Sequence, residues 1–495
     1  MGSAKKILRG AVWTTTANIV NGIYGFISIP LLISYFGKSN YGLIGLAMSV
    51  NVYLNLMDMG LNSTNIRYFS NWLSKGKVNQ VNGLFGTSVS FYGFIGLINA
   101  IIMVIVGLYA EEIFHLDTEQ GTILKHLFFI LAISAFISWY TSCFDQLIQA
   151  NEYVGWTQQI KLLARGLQII ILVLTLIYKF NIELYYALTT FSMFIVIPFC
   201  IVKIKKLCPY ISFIPHFDFN IFKEILPYSL NVFSFGIFQF SFYNLRPIFL
   251  GLQGGLEDVT DYKVISGIIN IVTMLGGSFL GILLPSASRA VAKNDKRIYN
   301  MVAYDATKYV SIALCFFSFG VVSVSSELID MYVGPHYQYL TMWLILWLVF
   351  ITLTHNQAIS SLILSGINIK AITYNTIVSA IIGLAVCWFT IPYFKVGGTI
   401  IGYIVYLIGQ LGFYYLYYWP RKMQIDSWKV FQKSYAPYLL TGLVISWGCR
   451  YLNISGNVWL EFLLKGSLFS FLYMGTVFLM LSNHDKHFIL KLIRK

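Results

Sequence analysis

Charge is missing from most of this chain, and the gaps are long enough to cross a membrane. Asp, Glu, Lys and Arg make up 11% of its 495 residues, against about a quarter in soluble domains. Between the charges, apolar stretches of about 20 residues recur about fourteen times, the length an α-helix needs to cross a hydrocarbon layer of about 30 Å. A segment in hydrocarbon must pair its own backbone groups, which a helix does without a neighbour. The expected fold is therefore an all-α polytopic membrane protein of about 14 transmembrane helices. The spans run over 11–36, 41–65, 84–110, 123–149, 158–179, 184–202, 224–250, 262–285, 303–326, 340–364, 371–392, 397–419, 435–452 and 459–481. No connection is long enough for a soluble domain with its own core, the longest being about 203–223. Function must then be exercised inside the bilayer.

Basic residues set the expected orientation. The net charge is +14, but its distribution argues for topology and against a nucleic-acid partner. With the first segment placed inside, 24 of the 34 Lys and Arg fall on the inner side, six on the outer side and four within spans. That bias is the positive-inside rule and places both termini in the cytoplasm. The basic leader 1–9 resembles a signal peptide, but the run that follows is too long for one and carries no small-residue cleavage pattern, so it reads as a retained span. The six cysteines have no CxxC spacing and read as packing residues.

The basic segment 203–223 splits the first twelve spans into two sets of six. Tyr35-Phe36-Gly37 followed by Tyr41-Gly42, and Phe249-Leu250-Gly251 followed by Tyr262, give each set a similar opening. This pattern predicts two pseudo-symmetric six-helix lobes, 1–205 and 206–421, around a central cavity, with 422–495 supplying two extra helices and a tail.

Polar residues inside the spans follow helical spacing. Span 1 carries Thr14, Asn18, Asn21, Gly25 and Ser28; span 2 carries Asn51, Asn55, Asp58, Asn62 and Asn65. Span 7 carries Asn231, Ser234 and Ser241 with Gln239, Tyr243 and Arg246 beside them, and span 8 carries Ser266, Asn270 and Thr273. Single small or amide residues often serve as helix–helix glue. Five on one face of span 2 more economically line water, which places a hydrated cavity among spans 1, 2, 7 and 8.

Ionisable groups inside a membrane are costly and mark function by default. Asp58, Asp145 and Arg165 lie at similar depth. Arg165 either braces an internal Asp–Arg–Asp cluster or faces the cavity. Arg246, near the outer end of span 7, either snorkels or contacts substrate. Lys308 has Asp305 three residues before it, and Lys465 has Glu461 four before it. His355 stands at mid-span 10, as a packing residue or a proton carrier. No metal-spaced His cluster, phosphate loop or GxSxG motif occurs, so neither an enzyme nor a resident cofactor or metal is expected.

Leu56-Met57-Asp58-Met59-Gly60-Leu61-Asn62 with Arg67-Tyr68, preceded by Tyr35-Phe36-Gly37 and Tyr41-Gly42-Leu43, resembles bacterial polysaccharide transporters of the Wzx flippase type. These belong to the multidrug/oligosaccharidyl-lipid/polysaccharide exporter superfamily. Leu284-Pro285-Ser286-Ala287-Ser288, Tyr332-Val333-Gly334 with Tyr337, and Gly397-Gly398 extend the resemblance over about residues 5–420. The resemblance implies a flippase that carries undecaprenyl-diphosphate-linked oligosaccharide, an O-antigen or other surface-polysaccharide repeat unit, across the inner membrane by alternating access. It also implies polysaccharide polymerase and other assembly proteins as partners. Lipid II flippases of the superfamily carry several arginines on spans 1 and 2, whereas here those stripes are rich in Asn. That leaves Arg165, Arg246 and Lys308 as candidate contacts for phosphate or acidic sugar. Coupling to Na+ or H+ would fall to Asp58, His355 or Asn375, the last with Asn231 and Thr399 where some superfamily members hold sodium. The alternatives are an ion-coupled multidrug or organic-cation antiporter of the same superfamily and, further off, a polytopic glycan polymerase or ligase.

Overall fold

The computed structural model describes residues 3–277, 300–356, 359, 369–482 and 486, and among these the regular structure is helical, without a strand. The inner end of span 8 with the 284–288 motif, and the end of span 10, lie outside the described residues. Nine described helices are long and apolar enough to cross a membrane, or up to eleven if each bent pair is one span. The expectation was about fourteen. Spans 2 and 7 are the bent pairs, the described parts of spans 8 and 10 end at residues outside those described, and span 13 is a helix of 15 residues that follows a π-helical turn.

The chain divides into two compact units, Met1–Lys263 and Val264–Lys495. The first holds α1 (Ser3–Phe36), α2 (Lys38–Leu54), α3 (Leu61–Ser74), α4 (Val78–Leu108), α5 (Ala110–Phe114), α6 (Thr118–Ala150), α7 (Val154–Tyr178), α8 (Ile182–Ser192), α9 (Val196–Leu207) and α10 (Phe219–Gln253), and α11 (Leu256–Gly277) begins in it. Polar residues at the water boundary start several of these helices. Asp117 accepts from the Gln120 amide at 2.8 Å and Asn181 from the Leu184 amide at 3.0 Å, supplying partners that the first turns of α6 and α8 otherwise lack.

Span 2 is two helices. A 3₁₀ turn, Asn55–Asp58, ends α2, and Met59 (φ 52°) and Gly60 (φ 76°) turn left-handed before α3 continues at an angle of 44°. Gly60 is needed twice over: its φ is unfavourable for L side chains, and a Cβ there would lie 2.6 Å from the Ser229 carbonyl oxygen of α10. Span 6 runs on from Ile182 to Leu207 but carries a 3₁₀ turn of its own, Met193–Ile195, between α8 and α9. The core of this unit gathers Phe69, Phe85, Tyr92, Trp139 and Phe144 from α3, α4 and α6. Gly96 lets α4 approach α6, since a Cβ there would sit 2.9 Å from that of Trp139.

The second unit contains α12 (Thr307–Ser323), α13 (Ser325–Val333), α14 (Leu340–Ile351), α15 (Ile369–Phe394), α16 (Val396–Phe413), α17 (Ser427–Val430), α18 (Ala436–Arg450) and α19 (Val458–Met480). Three π-helical turns interrupt it, Met301–Ala306, Tyr414–Met423 and Phe431–Tyr435. The pair of Lys465 with Glu461 forms at 3.0 Å, and Glu327 of α13 joins it at 2.7 Å. Lys465 also donates to the Arg450 carbonyl at 3.2 Å, while Arg450 donates to Ser325 Oγ at 2.9 Å. Lys465 is thus buried, and it ties α19 and α18 to α13.

Candidate functional site

The 3₁₀ turns of spans 2 and 6 face the same cavity. A pocket of about 500 Å³ is lined by Asn55, Asp58 and Asn62 from span 2, Ser138, Trp139, Thr141, Ser142, Phe144 and Asp145 from α6, Lys161 from α7, and Met193, Phe194, Val196, Ile197 and Cys200 from span 6. Irregular backbone at membrane depth is tolerated where it is buried in protein or borders water, and mid-helix 3₁₀ turns recur at functional hinges.

Each charge on the wall has a defined partner. Lys161 Nζ meets Asp145 Oδ2 at 2.6 Å, and Gln149 Nε2 donates to the same oxygen at 2.8 Å. Asp58 Oδ2 accepts from the Asn62 amide at 3.1 Å, which closes the turn at the helix break. Asp58 Oδ1 accepts from the Tyr92 hydroxyl at 2.8 Å. That hydroxyl accepts from Gln146 Nε2 at 2.9 Å, and Gln146 Oε1 accepts from Asn65 Nδ2 at 2.9 Å. A chain of hydrogen bonds therefore runs from the pocket into the core, where Gln146 and Asn65 are buried.

This geometry corrects two expectations. The Asp58–Arg165–Asp145 cluster does not form: Asp145 takes Lys161, one turn before Arg165 on α7, and Asp58 takes Tyr92. Arg165 donates from Nε to Asn21 Oδ1 at 2.7 Å and from Nη1 to Gln168 Oε1, with its guanidinium 4.7 Å from the Tyr24 ring centre. It ties α7 to the polar stripe of α1. Asn65, for its part, leaves the stripe of span 2. The left-handed turn at Met59–Gly60 breaks the helical register, so Asn65 points to Gln146 while Asn55, Asp58 and Asn62 stay at the pocket.

The other expected residues stand as follows. Asn18, Asn21, Asn55, Asn231, Gln239 and Asn270 are exposed, while Asn51, Tyr243 and Lys308 are half-buried. Arg246 is buried rather than snorkelling, with its guanidinium 5.2, 5.5 and 5.6 Å from the ring centres of Phe242, Tyr243 and Tyr262. Lys308 reaches Asp305 at 3.5 Å. His355 is fully buried. Its Nδ1 lies 3.1 Å from the Thr352 carbonyl, its Nε2 2.7 Å from the Tyr415 hydroxyl, and its ring stacks on Tyr435 at 3.9 Å.

Asn375 and Thr399 belong to opposite ends of the α15–α16 hairpin. Asn375 donates to the Gln410 carbonyl at 3.4 Å, whereas the Thr399 carbonyl accepts from Cys387 at 3.7 Å. Twelve residues of α15, about 18 Å of helix, separate those levels, so the two do not share an ion. Among the described residues no group of three His, Cys, Asp or Glu could hold a metal ion.

The sequence reading passed over Ser138, Thr141, Ser142 and Lys161. The signal was present, since Ser138, Thr141, Ser142 and Asp145 fall at i, i+3, i+4 and i+7 on one face of α6.

Comparison with known proteins bears on this architecture. No curated protein matches the chain by sequence. Among solved structures, the lipid II flippase MurJ in an inward closed conformation is similar with a TM-score of 0.71 at 14% identity, over 95% of this chain and 98% of that one. An inward-facing multidrug-resistance MATE transporter of the MOP superfamily gives 0.64 at 16%, over 82% and 97%. A ligand complex of the MATE multidrug transporter DinF-BH gives 0.58 at 13%, over 84% and 96%. At these identities the likeness establishes a shared fold. The family is established separately, by a model that matches residues 7–291, more than half of the chain: the chain belongs to the polysaccharide biosynthesis protein family.

Proposed function

We propose that this protein is a flippase that carries undecaprenyl-diphosphate-linked oligosaccharide, an O-antigen or other surface-polysaccharide repeat unit, from the cytoplasmic to the outer leaflet of the inner membrane. The observation that carries the reading is the conjunction of a polysaccharide biosynthesis family with the fold of MurJ and MATE transporters. Moving a glycan through hydrocarbon requires water-lined polar groups within the spans, and the pocket at the 3₁₀ turns of spans 2 and 6 supplies polar groups in the first unit. Alternating access follows from the same need, because a path open to both faces at once would leak ions. The basic face is cytoplasmic, with both termini on that side. The protein acts as a transporter and not as an enzyme, and a proton or sodium gradient drives it.

Reconstituted vesicles holding a labelled lipid-linked oligosaccharide test this reading. Its glycan should become accessible to an external glycosidase only when the protein is present. Vesicles in which exposure matches protein-free controls would sink it. The second reading, an organic-cation antiporter, draws on the two carboxylates Asp58 and Asp145 at the pocket. It predicts gradient-driven uptake of a cationic dye in the same vesicles.

A further inference from the structure

The wall of the pocket has a definite chemistry. Its charged groups are Asp58, Asp145 and Lys161, and Lys161 is held by Asp145 at 2.6 Å. The lining is therefore net negative, with its one cation already engaged. The side chains of Asn55, Asn62, Ser138 and Ser142 make no hydrogen bond to protein among the described residues, and Asp145 Oδ1 is buried without a partner. Asn55, Asn62 and Ser138 are exposed and Ser142 is half-buried, so their donors and acceptors are open to solvent or ligand, while the buried Asp145 Oδ1 is of the kind that native proteins nearly always satisfy. Beside them stand the rings of Trp139, Phe144 and Phe194. The volume, about 500 Å³, lies within the range of small-molecule sites.

A sugar ring matches this wall on both counts. One face of a pyranose is a sheet of C–H bonds that rests on an aromatic ring, and its rim of hydroxyls exchanges hydrogen bonds with amides, hydroxyls and carboxylates. A diphosphate or a uronic acid would instead bring negative charge against Asp58 and Asp145, and rejection of this kind is how a site gains specificity beyond its attractive contacts. We propose that this pocket holds uncharged sugar rings of the transported glycan, bearing hydroxyl or acetamido groups, and that Asp58 and Asp145 exclude acidic sugars and the diphosphate from it. The source of the sugar rests on the flippase reading; the selectivity rests on the wall.

The test is protection from alkylation. In Ser142→Cys protein, a small neutral maleimide reports access to the pocket, and the wild type gives the background from Cys200 on the same wall. The probes are free neutral trisaccharides (gluco-, galacto-, rhamno- and N-acetylglucosamine series) and the matching uronates. At least one neutral trisaccharide should slow labelling fivefold or more, and the uronates should not. Asp145→Asn releases Lys161, so there a uronate should begin to protect. Equal protection by uronates in Ser142→Cys alone, protection by a cationic dye in place of sugars, or protection by none of the panel each overturns the proposal. Blocking the pocket, by Ser142→Phe or by alkylating folded Ser142→Cys protein where the Phe variant does not fold, should lower translocation at least tenfold. Undiminished translocation in a blocked pocket sinks the proposal and leaves the flippase reading standing. Sugar protection without wild-type translocation does the reverse.

Discussion

In each unit an apolar helix runs into a 3₁₀ turn, Asn55–Asp58 after α2 and Thr352–Asn356 after α14, and the two turns have opposite surroundings. In the first unit Asn55–Asp58 opens onto a polar pocket, where amide and hydroxyl side chains stay unengaged by protein. In the second, Thr352–Asn356 is filled by rings. His355 is enclosed by Tyr415 and Tyr435, both carried on π-helical turns, and Thr352 Oγ1 lies 2.9 Å from the Tyr435 hydroxyl. The same backbone irregularity therefore borders an open polar pocket in one unit and packed rings in the other. The ion pairs divide likewise. Lys161 and Asp145 keep 40% and 26% side-chain exposure, whereas Lys465 and Glu327 keep 3% and 11%. A helix break does not of itself make a site; what fills it decides.

If the second break is a sealed core, removing its filler should be among the most damaging changes to the protein. Tyr435→Ala deletes a buried ring stacked on His355 and should lower stability by about 3–5 kcal/mol, read as denaturant-induced unfolding in mixed micelles. The two ion pairs sharpen the contrast. Lys465→Met strands Glu327 in a buried setting and should cost about 3–5 kcal/mol. Lys161→Met removes an exposed partner and should cost no more than about 1 kcal/mol. Adding Glu327→Gln to Lys465→Met should recover part of the loss. Equal losses for the two lysine variants would erase the distinction between the units.

His355 probes the seal more gently. A carbonyl can only accept, so Nδ1 carries the proton toward Thr352 and Nε2 accepts from Tyr415. His355→Phe keeps a ring against Tyr435 but leaves the Tyr415 hydroxyl and the Thr352 carbonyl short of a partner. It should cost about 1–3 kcal/mol, less than Tyr435→Ala, with the same unfolding readout.

What could be read from sequence divides along these lines. Membrane character, the helical class and the polar positions of span 2 follow from hydropathy and helical spacing, which are local properties. The open site was half legible, because Asn55 and Asp58 stood out on their stripe while the Ser138–Thr141–Ser142–Asp145 face of α6 was there to be counted. Partner choice was not legible. Nothing local says that Asp145 prefers Lys161 to Arg165 one turn along, or that Arg165 turns to Asn21. Nor does spacing survive a left-handed turn in the backbone, and Met59–Gly60 sends Asn65 inward where a straight helix would have kept it with Asn62. The sealing of His355 depends on rings 60 and 80 residues later, which no periodicity connects to it.

The smallest expected change in stability carries the most information about function. Asn55 is exposed, sits on the 3₁₀ turn at the pocket, and its side chain bonds to no protein group among the described residues. Asn55→Ala should therefore leave stability within about 0.5 kcal/mol of the wild type, as for surface positions generally. If the side chain is there for solvent and substrate, translocation in vesicles should fall several-fold at that unchanged stability. His355→Phe makes the opposite comparison, a stability loss that translocation per folded molecule does not follow. A variant at Asn55 that unfolds early and transports normally would invert the assignment, making the first break a structural joint and sending the search for the site to the exposed Asn231 and Gln239 of α10.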